Sequence, residues 1–223
     1  HGGFQAEADE GLMIAQVQVV EVPHLEVALK RLSEAQGRLL EEANAVHPNL
    51  VRRGGGARSI EVRVLEGELE GEAPMLVLHL IVDCVDAMGA NAVNAMAEGI
   101  APHVEAITGG KVYLRILSNL ADRRLARASL RVPVSALASP KANMSGEEVA
   151  RGVVYAYRFA DLDPYRAATH NKGVMNGIDA VALATGNDWR GVEAGAHAYA
   201  AQSGRYRSLT RFWIESSEES EGE

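Results

Sequence analysis

The order in which hydrophobic periodicity switches between residues 11 and 118 constrains this chain most. From Met13 to Val22 apolar and β-branched residues dominate, and Pro23 then interrupts any strand ladder. Leu25, Leu29, Leu32, Leu39 and Leu40 follow at helical spacing with Glu, Lys and Arg between them, and Pro48 closes that helix. After Gly54-Gly55-Gly56, Ile60 to Leu65 alternates apolar with charged residues as a half-buried strand does, and Met75 to Val82 is a more continuously apolar strand. A helix from about Ala87 to Ile107, with Val93, Met96, Ala97, Ile100 and Val104 on one face, ends at Gly109-Gly110 before a strand from Lys111 to Leu117. The order βαββαβ predicts an α+β fold with a ferredoxin-like domain, two helices covering one face of an antiparallel sheet.

Beyond Asn119 the texture changes to helix and loop. Leu120 to Arg131 is rich in Arg and Ala, and Ser139 to Met144 reads as a loop. Ser145 with Glu148 is a capping-box pair opening a helix from about Gly146 to Asp161. Two further helices are expected, about Lys172 to Ala184 and Asp188 to Gln202, ended by Gly186 and Gly204. They are dense in Gly and Ala, which lets helices approach each other or a ligand closely. The expected organisation is a small domain at 11–118 inserted in a mainly helical domain made of 1–10 and 119–223.

Composition removes several classes of function. The net charge of −8 and the absence of a long basic run argue against nucleic acid. One cysteine, Cys84, rules out an intramolecular disulfide and reads as a buried, inert thiol. The longest apolar runs fall far short of the roughly 20 residues of a membrane-spanning helix. No signal peptide is evident, so a cytoplasmic protein is expected. The chain opens on His1-Gly2-Gly3-Phe4 and closes on an acidic, Ser-rich run from Glu215 to Glu223, so further chain is expected on each side.

Few residues suggest chemistry when taken singly. Lys172 lies among Gly and Asn at the expected start of a helix, where the dipole disfavours a cation unless an anionic substrate or a carboxylate holds it there. Asp188, in Thr185-Gly186-Asn187-Asp188-Trp189-Arg190, is the candidate carboxylate, with plain helix capping the simpler reading. Arg166 either clamps a carboxylate or pairs on the surface. Asp86, in Asp86-Ala87-Met88-Gly89-Ala90-Asn91, is a candidate cap for a helix whose free N–H groups would seat a phosphate, although no G-x-G-x-x-G is present. His47 and His79 read as loop and strand residues, and no metal-ligand spacing occurs.

Together, Asp86 to Asn91, Asp163-Pro-Tyr-Arg-Ala-Ala-Thr-His-Asn-Lys-Gly-Val-Met-Asn176 and Ala184-Thr-Gly-Asn-Asp-Trp-Arg190 closely resemble the signature blocks of 3-hydroxy-3-methylglutaryl-coenzyme A (HMG-CoA) reductases, particularly the soluble bacterial class, class II. The resemblance runs along nearly the whole chain. It implies a ferredoxin-like domain that binds NADPH or NADH, set into a larger domain that binds HMG-CoA. The implied reaction is two successive hydride transfers that carry the thioester through mevaldehyde to mevalonate and CoA, or the reverse in mevalonate breakdown. Lys172 matches the catalytic lysine, implied to be buried beside a carboxylate, and Asp188 the aspartate that hydrogen-bonds it. Arg166 and Asn176 match substrate-contacting positions; Asp86, Met88, Gly89 and Asn91 match the cofactor block, with Asn119 close to the cofactor.

Where NADH-using relatives carry an aspartate this chain has His47, with Arg52 nearby, so NADPH is expected to be accepted at least as well as NADH; no metal is expected. The resemblance also implies a homodimer or larger assembly with the active site at the subunit interface. The family's catalytic glutamate and thiolate-protonating histidine match no position here, so turnover by this piece alone is not expected. The competing readings are a catalytically silent ligand-binding or regulatory protein on the same scaffold, and a ferredoxin-like RNA-binding or sensor module, with acidity and the lack of exposed-looking aromatics on the central strands disfavouring RNA.

Overall fold

The computed structural model describes residues 2–69 and 71–215. His1 and the acidic run beyond Glu215 lie outside the described residues. The chain divides into two compact units, Ala8–Ala126 and the residues on either side of it. The first unit is therefore wider than the 11–118 expected from periodicity. Two short strands without an apolar pattern, β1 (Gln5–Ala8) and β6 (Ala126–Ser129), pair with each other where the chain crosses between units. All eight of their residues are exposed, so no hydrophobic alternation could mark them in the sequence.

The Ala8–Ala126 unit is the expected βαββαβ. Its elements are β2 (Leu12–Val20), α1 (Leu25–Val46), β3 (Gly56–Leu65), β4 (Met75–Asp83), α3 (Ala90–Thr108) and β5 (Lys111–Leu117). The strands form an antiparallel sheet in the order β3-β4-β2-β5. Register places Ala15 opposite Leu80, Val17 opposite Leu78 and Val19 opposite Leu76, all fully buried. Leu32 and Leu39 of α1 and Met96 and Ile100 of α3 close over that face. Each such large side chain contributes about 1.5–3 kcal/mol relative to exposure. The opposite face carries polar neighbours, with Gln16 Nε2 2.9 Å from His79 Nε2 across the β2–β4 pair.

Two boundaries differ from expectation. Pro48 does not merely close α1; it opens a one-turn helix, α2 (Pro48–Arg52), because its fixed φ suits the first helical position. The helix expected from Ala87 begins at Ala90, with Gly89 as its cap at φ 86.

In the second unit α4 (Gly146–Leu162) opens on the expected capping box: Ser145 Oγ accepts the Glu148 N–H at 3.2 Å, and the Glu148 carboxylate accepts the Ser145 N–H at 2.8 Å. The helix expected from Lys172 starts eight residues earlier, as α5 (Pro164–Ala184). Asp163 caps it, accepting the Arg166 N–H at 3.1 Å, and Pro164 takes the first turn, where its missing N–H costs nothing. After the Gly186 turn comes α6 (Trp189–Ala201). Buried Asn171 fastens the following segment to α5, donating to Arg207 O at 2.8 Å and accepting the Leu209 N–H at 2.9 Å.

Candidate active site

One end of the four-stranded sheet gathers the end of α1, the start of β3, the end of β4 and the start of α3. His47 caps α1, half-buried, and Arg52 closes α2 with its guanidinium donating to Asn49 Oδ1. Gly56, at φ 111, lies against Asn44, whose side chain accepts the Ala57 N–H at 2.8 Å and donates to Ala57 O at 3.2 Å. A side chain at Gly56 would meet Asn44 Oδ1 at 2.4 Å, so the turn after α2 requires glycine there.

Beyond β4 the chain turns sharply. Ala87 N–H donates to Cys84 O at 3.0 Å, and Gly89, not Asp86, caps α3. A Cβ on Gly89 would lie 2.5 Å from Cys84 Sγ and 2.6 Å from Met13 Sδ, so only glycine lets the helix start this close to the sheet. Among the described residues no side-chain hydrogen bond caps α3, which leaves donors and the positive end of the helix dipole facing outward. Asp86, Met88 and Asn91 are exposed around that terminus. Asn119, also exposed, follows β5 beside the start of β2, where Ser118 N–H donates to Ile14 O at 2.8 Å. Arg124 donates to Ala87 O at 3.5 Å, fixing the segment after Asn119 against the same turn. Cys84 is buried, and burial pushes its thiol up to about 11, as expected of an inert cysteine.

This arrangement fits a dinucleotide. An uncapped helix N-terminus with a glycine that no side chain could replace offers a seat for phosphate oxygens, and His47 and Arg52 stand at the same end of the sheet.

In the second unit Lys172 and Asn176 share one face of α5, a turn apart. Lys172 is exposed, not buried as its resemblance implied, and lies two turns inside the helix, so the unfavourable dipole at a helix start does not act on it. Arg166, half-buried in the first turn, projects about 120° around the helix from Lys172. It sits near His170, whose ring is held below its ordinary pKa by burial and then by Arg166. Asp188 is the cap of α6 and accepts the Gly191 N–H at 3.1 Å, as its simpler reading required. About 18 Å of helical rise separates Lys172 from the Ala184 end of α5, and no ion pair joins Lys172 to Asp188 among the described residues. Asp179, one turn beyond Asn176, was not singled out in the sequence; its Oδ1 is buried without a partner among the described residues.

A sequence model described as hydroxymethylglutaryl-coenzyme A reductase matches residues 1–220. The chain belongs to that family. An HMG-CoA reductase of Archaeoglobus fulgidus is 49% identical over 214 residues, 96% of this chain and 47% of that protein. A probable HMG-CoA reductase of Borreliella burgdorferi is 34% identical over 165 residues, covering 74% of this chain and 37% of the relative. The class II HMG-CoA reductase of Streptococcus pneumoniae, solved bound to NADPH in open conformations, superposes with a TM-score of 0.89 at 43% identity, over 96% of this chain and 50% of that one. The chain thus spans half or less of the length of these three reductases. Among the described residues no helix is long and apolar enough to cross a membrane, and no group of three His, Cys, Asp or Glu side chains is placed to hold a metal ion.

Proposed function

We propose that this chain carries the nicotinamide-cofactor seat and part of the substrate site of an enzyme that reduces HMG-CoA to mevalonate and CoA with NAD(P)H. The observation that carries the reading is the uncapped N-terminus of α3, framed by Asp86, Met88, Gly89 and Asn91, in a chain whose family is reductase throughout. The cofactor, when bound, supplies the hydrides. The chain's own groups bind and polarise. The backbone N–H groups of α3 hold phosphate oxygens, with Asn119 beside them. His47 and Arg52 favour a 2′-phosphate over the bare ribose, so NADPH is used at least as well as NADH. The NADPH-bound Streptococcus relative supports a nicotinamide cofactor.

On α5, the Lys172 ammonium stabilises negative charge developing on the thioester oxygen, and Asn176 orients the same group from one turn away. Arg166 receives the carboxylate of the hydroxymethylglutaryl chain, matching a planar guanidinium to a planar anion. Asp188 holds Lys172 in the working site. Since these two are not paired within one chain, we infer that Asp188 meets Lys172 across an interface between copies, in a homodimer or larger assembly acting in the cytoplasm.

The test is oxidation of NADPH and NADH on adding HMG-CoA, with this sequence carried in a chain as long as its relatives. Lys172→Ala is expected to lower kcat by about 10²–10³-fold with a small change in KM, the loss typical of one oxyanion-stabilising group. Equal rates for the variant and the parent would remove Lys172 from the reaction. A strong preference for NADH would remove the assignment of His47 and Arg52.

A further inference from the structure

Val85 is the residue before the cofactor block and has φ 54, a left-handed conformation that β-branched residues rarely adopt. Three neighbours hold it there. Asp83 Oδ1 accepts the Val85 N–H at 2.9 Å. A Cβ on Gly11 would lie 2.4 Å from Val85 O, and one on Gly55 would lie 2.6 Å from Asp83 O and 2.9 Å from Val85 Cγ2. The strained turn is therefore wedged between two glycines from different parts of the chain.

The other oxygen of Asp83 is also engaged. Asp83 Oδ2 takes Arg58 Nη2 at 2.8 Å, and the same nitrogen donates to Gly54 O. One guanidinium thus links the turn after α2, which follows His47 and Arg52, to the carboxylate that fixes Val85 ahead of Asp86. Arg58's hydrogen bond is the main cause that keeps the Asp83 carboxyl below its ordinary range, so the carboxylate stays ionised at neutral pH. The Arg58 side chain is half exposed, and ion pairs of that kind stabilise folds little. Its geometric effect is larger, because it sets the separation of two ligand-contacting segments.

We propose that Arg58 and Asp83 are positioning residues for the cofactor, tying the His47–Arg52 side of the seat to the Asp86–Asn91 side so that both ends of one dinucleotide are held at once. The proposal rests on the cofactor reading above. Neither residue need touch the ligand.

Titration calorimetry on the full chain tests it with three probes: NADPH, adenosine 2′,5′-bisphosphate and reduced nicotinamide mononucleotide. In Arg58→Ala and Asp83→Ala each half-site persists but the spacing between them is lost. The Kd for NADPH is expected to rise about tenfold or more while the Kd for either half-ligand stays within about twofold, because joining two sites gains affinity only when geometry permits both. Asp83→Asn, which can still accept the Val85 N–H, should recover part of the loss, as should Arg58→Lys.

Val85→Gly leaves the pair intact and relieves the backbone strain. It keeps the backbone N–H that Asp83 accepts, so it is expected to fold at least as stably as the parent and to bind NADPH within about twofold of it. Unchanged NADPH affinity in Arg58→Ala and Asp83→Ala would overturn the proposal, and so would equal weakening of NADPH and both halves together with a lowered melting temperature. If the parent chain itself binds no NADPH, the cofactor reading falls and this proposal with it. Binding by the parent with indifferent variants removes this proposal alone.

Discussion

The two units of this chain use opposite packing. In the ferredoxin-like unit, large side chains from four strands and two helices fill one continuous core. In the helical unit the buried side chains are mostly alanine: Ala150, Ala160, Ala167, Ala182 and Ala200. Among the described residues, Met175 is the one of the largest fully buried side chains that belongs to it. Its bulky apolar residues face outward, with Phe159 57%, Leu162 58%, Val181 64% and Trp213 66% exposed. Exposed apolar side chains at this density mark surfaces that other protein covers. The first unit carries its stability within itself, whereas the second has spent its small residues on close helix approach and turned its large ones toward other surfaces. The assembly proposed above would cover them.

The largest effect should come from separating the units. Residues 8–126 alone are expected to melt cooperatively, with native-like amide protection in β2 and β4. Residues 127–223 alone are expected to associate or to lose fixed side-chain packing, visible as a lost near-UV circular dichroism signal. A cooperative monomeric transition in the second piece would break the comparison.

Matched truncations sharpen it. Leu78→Ala removes a fully buried side chain and should cost about 2–5 kcal/mol in chemical denaturation. Leu183→Ala, at an exposed position, should stay within about 0.5 kcal/mol in the isolated chain and act instead on self-association, read by analytical ultracentrifugation.

Asn171 is the polar exception in the helical unit, completely buried with its amide bonded at both ends. Asn171→Ala orphans the Arg207 carbonyl and the Leu209 N–H, at about 1–3 kcal/mol for each group left unpaired. Faster proteolysis between Arg205 and Glu215 is the accompanying sign.

The smallest effects are pH-dependent, and the two units differ in window. In the helical unit the hydrogen bond from Arg207 holds the Asp161 carboxyl below its ordinary value of 3.8. Its contribution is complete above that value and is lost as pH falls through the lower folded value. Asp161→Asn should flatten that acid limb in a plot of melting temperature against pH. In the sheet unit burial, then Arg63, keeps the His79 ring below its ordinary 6.5. The unfolded chain then binds the extra proton, so this contribution is complete above 6.5 and declines as pH falls toward the folded value. His79→Gln should remove a shallow dependence near pH 6 without touching the acid limb.

The ferredoxin-like unit was legible because its strands and helices are half-buried. Alternation in Ile60–Leu65 and the helical stripe through Val93, Met96, Ile100 and Val104 are direct imprints of one face meeting a core. Capping was legible too, since Ser145 with Glu148, and Asp188 before Trp189, use short-range hydrogen bonds that the local sequence specifies. The start of α5 was missed because Asp163-Pro164 is a cap and first turn with no apolar stripe after it; the buried positions are only Ala167, Asn171 and Met175 before the last turn. The start of α3 moved from the region of Asp86 to Gly89 because a long-range contact with Cys84 and Met13, not local capping chemistry, decides where that helix can begin.

By itself, then, the sequence determined the order of elements, the core of the ferredoxin-like unit and, through the likeness of its blocks, the family. Those depend on periodicity and on residues near one another in the chain. Tertiary structure alone decided that Arg58, Asp83, Val85, Gly11 and Gly55 form one framework behind the Asp86–Asn91 block, and that Lys172 and Asp188 are not partners within a chain. Backbone strain at a valine and the distance along a helix leave no mark in residue identity, because both are set by what the rest of the fold packs against them.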